Sequence, residues 1–314
     1  MNYNVIKYGS ELENDWDSFL KTCKNYHFMF ERRYMEYHSD RFLDFSILIY
    51  DEKNKVVALL PANLNDGVLY SHQGLTFGGL LIDKNMRINE LLEIFDFIKI
   101  FLKEHNILKV VYKCIPHIYH KFPAQEDLYV LFRNQAKLYR RDISSAIEIG
   151  KDYKYSKGRK WGINKAKKQN IMCMEINKPS EIWSLIREVL NQNHEANPVH
   201  NETEIDYLKT CFPNNIKCYA ALLNEKIVAG VVTYETEEVI HTQYLATNDI
   251  GRETCALDLL VDTIIQTNKE KFRFFDFGIS NENDGWVLNS GLVNQKESFG
   301  GRAIAHDFYT VDLI

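Results

Sequence analysis

From Val239 to Gly278 the chain runs through a strand, a glycine-bearing loop, an amphipathic helix and a second strand. The first strand reads Val-Ile-His-Thr-Gln-Tyr-Leu-Ala-Thr over 239–247, and the loop runs from Asn248 to Thr254 with Gly251 inside it. The helical run, Cys255 to Lys271, places Leu257, Leu260, Val261, Ile264 and Ile265 at helical spacing. The closing strand ends in Phe275-Asp276-Phe277-Gly278. A strand that passes through a glycine loop into a helix makes an anion site, because unpaired amides at the helix start point outward and the helix dipole favours negative charge. Such a site suits a nucleotide pyrophosphate.

The same order occurs earlier in the chain. Phe45 to Ala58 and Cys218 to Ala229 both read as strand, charged Asn-containing turn, strand, the pattern of a hairpin. A third strand follows in each half, near Val68–Ser71 and at Val239–Thr247. A helix follows each, Asn89 to His105 in the first half and Cys255 to Lys271 in the second, and a strand closes each unit, Leu108–Cys114 and Phe272–Gly278. Two units in this order predict a duplicated α/β domain. The expected boundaries are 1–145 and 146–314.

A length of 314 residues exceeds the size at which one core keeps growing, which agrees with two domains. No apolar run approaches the roughly eighteen residues of a membrane span. Met1 to Glu11 is mixed and polar, with no signal peptide visible, so a cytoplasmic location is expected. The six cysteines include no Cys-x-x-Cys pair, which argues against zinc and against a disulfide framework. A net charge of −5 disfavours broad nucleic-acid binding. Against that balance, Lys151 to Asn170 is strongly basic and interleaved with Tyr153, Tyr155 and Trp161. It is open to three readings: a hold on the phosphates and base of a nucleotide-linked substrate, a contact with tRNA, or a solvated helix face.

The stretch from Val239 onward resembles the GNAT acyltransferases, which bind acyl-coenzyme A with its pyrophosphate on such a loop and its acyl-pantetheine arm along the preceding strand. Phe275-Asp276-Phe277-Gly278 and the later Lys296-Glu297-Ser298-Phe299-Gly300 are similar to the Phe-Asp-Phe-Gly and Lys-x-x-Phe-Gly elements of the Fem-related branch, whose members carry two GNAT-like domains in tandem. The loop departs from the GNAT pattern Gln/Arg-x-x-Gly-x-Gly/Ala. Gly251 matches its first glycine, but Asn248 replaces Gln or Arg and Glu253 replaces the second small residue. The resemblance implies an α/β fold of two tandem GNAT-like domains with mixed central sheets and a cleft between them. It implies acyl-CoA as co-substrate, held by Tyr244, Leu245, Ala246, Thr247, Gly251, Arg252, Glu253 and Thr254.

Acyl transfer to an amine needs a proton acceptor, donors where the oxyanion develops, and two substrates held in line. The resemblance puts the oxyanion donors in the backbone amides of Tyr244, Leu245 and Ala246. Strand alternation puts His241, Gln243 and Leu245 on one face and Thr242, Tyr244 and Ala246 on the other. Histidine is the side chain whose ordinary proton affinity suits neutral pH, and His241 in that strand is the first candidate base; the alternative is a histidine hydrogen-bonded within the sheet. Asp276 and His72 are the other two candidates. The loop around His72, with Gln73, Thr76, Phe77 and Gly78, is implied to face the acceptor; Gly78-Gly79 reads equally as a tight turn. Trp161, Trp286, Asn289 and Lys296 complete the expected substrate contacts. His194, Glu195 and His200 do not have metal-site spacing, and Pro198 breaks the helix that would align them, so no metal is expected.

The expected activity is N-acyl transfer from acyl-CoA by direct attack, without an acyl-enzyme. Resemblance to bacterial sugar N-acyltransferases makes the acceptor a nucleotide-linked amino sugar, such as a dTDP-3-amino-3,6-dideoxyhexose used in O-antigen or capsule polysaccharide biosynthesis, and the enzyme a monomer. Two alternatives stand beside it. One is a Fem-type aminoacyltransferase using charged tRNA and a peptidoglycan precursor; the other is a non-catalytic binding protein of the same fold.

Overall fold

Apolar alternation and paired turn residues build the sheet that carries the site. The computed structural model describes residues 2–194 and 198–313. Strands Ile216–Leu223 and Lys226–Glu235 form an antiparallel hairpin. Its turn, Asn224-Glu225, has positive φ at both residues (47° and 65°), the twist a two-residue hairpin requires. Strand Met172–Ile176 flanks the hairpin on one side and Val239–Thr247 on the other, both antiparallel. Val239–Thr247 then pairs in parallel with Phe274–Ile279, which pairs antiparallel with the end of strand Lys137–Glu148.

A parallel pair needs a crossover, here the helix Ala256–Asn268. Its Leu259, Leu260, Val261, Ile264 and Ile265 are buried with Val228, Ala229, Val231, Ile240 and Phe275 in one apolar cluster. Phe275 and Phe277 enter that cluster with ring centroids 4.9 Å apart, and Phe299 joins them 5.5 Å from Phe277. The Lys-x-x-Phe-Gly element is therefore a helix end: Ser290–Ser298 stops, Phe299 inserts into the core, and Gly300 takes φ +91°.

The chain divides into two units. The one just described spans Ile143–Glu282 and Val287–Ile304; the other comprises Met1–Asp142, Asn283–Trp286 and Ala305–Ile314. In that first unit, Asn4–Lys7, Ile47–Tyr50, Val56–Leu60 and Leu81–Ile82 form one antiparallel set. The third strand predicted near Val68–Ser71 leaves this set. Pro61 follows Val56–Leu60, and proline has no N–H for a ladder. The chain then re-forms as the hairpin Asn63–Asn65 and Val68–Tyr70. Val68–Tyr70 pairs in parallel with Lys109–Lys113 across the helix Ile88–Glu104, and the last strand, Arg302–Asp312, pairs antiparallel with Lys109–Lys113.

The two parallel ladders correspond pair for pair. One runs Val68↔Lys109, Leu69↔Val110, Tyr70↔Val111; the other Val239↔Phe274, Ile240↔Phe275, His241↔Asp276. The fold is thus α/β with mixed sheet pairing in each unit. Among the described residues no helix is long and apolar enough to cross a membrane.

Phe299 is 2% exposed. Phe299→Ala should cost about 3–5 kcal/mol of stability, as deletion of a buried aromatic does. Urea denaturation checks this, and a loss under about 1 kcal/mol would contradict the packing.

Candidate active site

The parallel ladder in the second unit ends at His241↔Asp276. Beyond that pair the two strands have no further pairing with each other. Asp276 is fully buried on the face opposite Phe275 and Phe277. Its Oδ2 lies 2.9 Å from His241 Nδ1. Its Oδ1 accepts from the Ser144 hydroxyl and, at 3.1 Å, from the Gly278 amide. An ionised carboxylate only accepts, so His241 donates from Nδ1 and its Nε2 is the basic nitrogen. Gly278 has φ +75°, and a Cβ there would lie 3.2 Å from His241 Cε1. The glycine lets the strand end turn against the ring.

A β-bulge changes the expected faces of the strand. Tyr234 pairs with His241, Thr233 with Thr242, and Val232 with Tyr244, so Gln243 is the extra residue. Opposed residues share a face, and Val232 and Tyr234 are two apart. Tyr244 therefore lies on the face of His241, not on the opposite one. Leu245, opposite Val231, points instead into the core under the crossover helix. Tyr244 Oη is 2.7 Å from His200 Nδ1, and its ring meets Trp183 edge-on at 5.0 Å. Burial pushes the Tyr244 hydroxyl up to about 12, so it stays protonated at neutral pH.

Lys296 is 5% exposed and points at the end of the Asp276 strand. Its Nζ donates to Gly278 O (2.8 Å), Ile279 O (2.7 Å) and Ser280 Oγ (2.9 Å). Burial lowers its pKa to about 8, with Asp276 acting in the opposite sense.

No protein-family model matches this sequence, and no curated protein matches it. Solved structures do. FemX superposes over 97% of this chain and 96% of its own, with a TM-score of 0.67 at 9% identity. The DUF2156 C-terminal domain of an Agrobacterium fabrum protein assigned as a lysylphosphatidylglycerol synthetase covers 96% and 92%, with a TM-score of 0.62 at 9% identity. A tandem GNAT protein from the clavulanic acid biosynthesis pathway covers 100% and 99%, with a TM-score of 0.53 at 10% identity. The fold is a tandem GNAT-like one.

A GNAT-like fold raises the question of coenzyme A. The segment expected to cradle its pyrophosphate is not an open loop. Asp249–Thr254 is a short helix capped by Asn248, whose Oδ1 accepts the Gly251 amide at 2.9 Å. The Arg252 amide donates to Asn248 O, and its guanidinium to Asp249 and to Thr247 O. Thr254 Oγ1 donates to Ile250 O, and Glu253 is exposed and adds negative charge. Gly251 serves packing: a Cβ there would lie 2.2 Å from Val228 O. At the start of the crossover helix, the Asp258 carboxylate is paired with Arg159. Asn248 and Asp249 thus engage two groups that a pyrophosphate would otherwise meet, the Gly251 amide and the Arg252 guanidinium.

His72 lies in the first unit, two residues beyond Tyr70, with φ +66°. Its Nδ1 accepts the Gly74 amide at 3.2 Å, and its ring packs against His38 and Phe42. Burial, then the neighbouring His38, lowers its pKa to about 3, too weak a base for neutral pH. The rest of its loop is also engaged structurally. Gln73 exchanges hydrogen bonds with Asn63, and Thr76 Oγ1 lies 4.0 Å from Met29 Sδ. Phe77 is buried against Tyr119 and His27, and a Cβ at Gly78 would lie 1.9 Å from Ser71 O. Lys113 Nζ donates to the carbonyls of His72, Gln73 and Leu75.

The remaining expected contacts scatter. Trp161 is 63% exposed on the basic helix Lys157–Lys168, and Trp286 is 85% exposed in the first unit. Asn289 caps helix Ser290–Ser298 and donates to Glu282. Glu195 lies outside the described residues, and among those described no three His, Cys, Asp or Glu side chains assemble for a metal. Sequence reasoning passed over Ser144, Ser280 and the Tyr244–His200 pair. The tyrosine had been read only for its amide.

The buried neutral His72 sets a pH test. Its folded pKa lies below the unfolded value, so below about pH 6.5 the unfolded chain takes up a proton that the folded chain refuses. Stability should therefore fall with acid, by about 1.4 kcal/mol per pH unit from this group, until about pH 3. His72→Asn keeps an acceptor for Gly74 and tolerates positive φ. Urea midpoints between pH 7 and 4 should fall less steeply for this variant than for the wild type; equal slopes would contradict the assignment.

Proposed function

We propose that the chain is an aminoacyltransferase of the Fem type, moving an aminoacyl group from charged tRNA to the amino group of a peptidoglycan precursor by direct attack. One observation carries the chemistry: a histidine oriented by a buried carboxylate at the point where two parallel strands part. The acceptor amine forms an N–C bond to the ester carbonyl and gives its proton to His241 Nε2. The C–O bond to the ribose breaks, and the leaving oxygen takes the proton of Tyr244, the protonated hydroxyl on the same face. Tyr244 regains a proton from solvent, and His241 releases its own there. No acyl-enzyme is required.

The donor is argued from charge. A polyanion is favoured by the helix Lys157–Lys168, whose Lys157, Lys160, Lys167 and Lys168 are exposed beside Trp161. Acyl-CoA with a dTDP-linked amino sugar would use the same base, but the capped helix Asp249–Thr254 weighs against it. The likeness to FemX over nearly the whole chain supports the Fem reading as a matter of fold.

The test is a donor comparison. Labelled aminoacyl-tRNA should transfer its label to a peptidoglycan precursor, whereas acyl-CoA should acylate neither that precursor nor a dTDP-amino sugar. CoA-dependent transfer would overturn the donor assignment. His241→Asn should lower turnover by about 10²–10⁴-fold, the range for a general base, with little change in donor affinity. Millimolar coenzyme A should leave the melting temperature unchanged, because only a ligand that binds the native state raises it.

A further inference from the structure

The Lys-x-x-Phe-Gly element suggests a lysine reaching for substrate phosphate. The geometry points elsewhere. An ammonium has three donors, and Lys296 directs its Nζ at three protein oxygens within 2.9 Å: Gly278 O, Ile279 O and Ser280 Oγ. The side chain is buried, and its backbone is fixed as well, since Lys296 O accepts the amides of Phe299 and Gly301. The three oxygens belong to the bulged end of the Asp276 strand and the turn that follows it. That turn is held at its far end by the Ser280 amide on Ile143 O and the Asn289 amide on Ser280 O. At its near end, Gly278 donates its amide to Asp276 Oδ1, and its α-carbon backs the His241 ring.

We infer that Lys296 is the positioning residue of this site: by tying down Gly278–Ser280 it fixes the Asp276 carboxylate, and through it the His241 ring. A lysine is suited to the task because a bulge with a left-handed glycine interrupts the pairing between Asp276 and Ile279, and one ammonium can hold several of the oxygens that turn aside there. The catalytic part of this inference rests on the proposed acyl transfer; the link from Lys296 to His241 does not.

The experiment separates the two. The His241 Nδ1–H held by Asp276 should give a low-field proton resonance, assigned by its loss in His241→Asn. In Lys296→Met that resonance should vanish or move upfield. In Ser280→Ala, which removes one of the three anchors, it should broaden or shift less. In the transfer assay Lys296→Met should lower kcat by about 10²-fold or more, within the range of a disabled general base, with acceptor KM changed by less than about twofold. The double variant Lys296→Met/His241→Asn should be no slower than His241→Asn alone, because both act through one ring. If Lys296→Met fails to fold, Ser280→Ala carries the test, with an intermediate fall in kcat at constant KM. An unmoved His241 resonance overturns the inference, as does a tenfold or greater rise in acceptor KM at constant kcat. If the wild type transfers nothing from any donor, the functional reading fails while the resonance still decides the Lys296 link.

Discussion

The structure of the second unit depends on a ladder that stops. Val239–Thr247 and Phe274–Ile279 pair in parallel for three residues and then separate. Before the separation Val239, Ile240, His241, Phe275 and Asp276 are all buried. After it, among the described residues, Val239–Thr247 keeps its antiparallel partner and no strand takes up its other edge. The last pair before the opening is His241 and Asp276, so a histidine oriented by a carboxylate stands where the two strands first part. The bulge at Gln243 adds Tyr244 to the same face.

A fully buried carboxylate costs several kcal/mol unless its oxygens are answered, and leaving one uncompensated is strongly destabilising. Asp276 is answered by Ser144, by the Gly278 amide and by His241, with the Lys296 ammonium one turn away. The strands, the turn and the helix Ser290–Ser298 thus converge on one charge. Such an arrangement rigidifies the histidine as a consequence of satisfying the carboxylate, which is the condition for an oriented base.

The two units share a plan and differ in chemistry. Each has a hairpin, a third strand, a crossover helix and a parallel closing strand. Where the second unit has His241 and Asp276, the first has Tyr70 and Val111. The loop beyond Tyr70 is closed by contacts of its own: Lys113 across three carbonyls, Gly78 against Ser71, His72 against Gly74. The first unit therefore carries the fold without the buried acid–histidine pair.

Much of the architecture was legible from local pattern. Alternation over Val239–Thr247, the helical period over Leu257–Ile265 and the alternation of Phe275, Asp276 and Phe277 each report one element's own burial, and each element formed nearly where the pattern put it. Asp276 was legible as a candidate at a strand end, but not its burial or its partners. Three things were not legible. The bulge that turns Tyr244 toward His241 is a property of pairing with Lys226–Glu235, not of the strand alone. The capped helix at Gly251 depends on Asn248 folding back and on the close approach of Val228, which a glycine-loop pattern does not encode. Ser144, which completes the site, is 132 residues from Asp276 in sequence. Periodicity records which face of an element is buried. Register, bulges and the partners of a buried charge arise only when distant strands pair, and tertiary structure alone decided them.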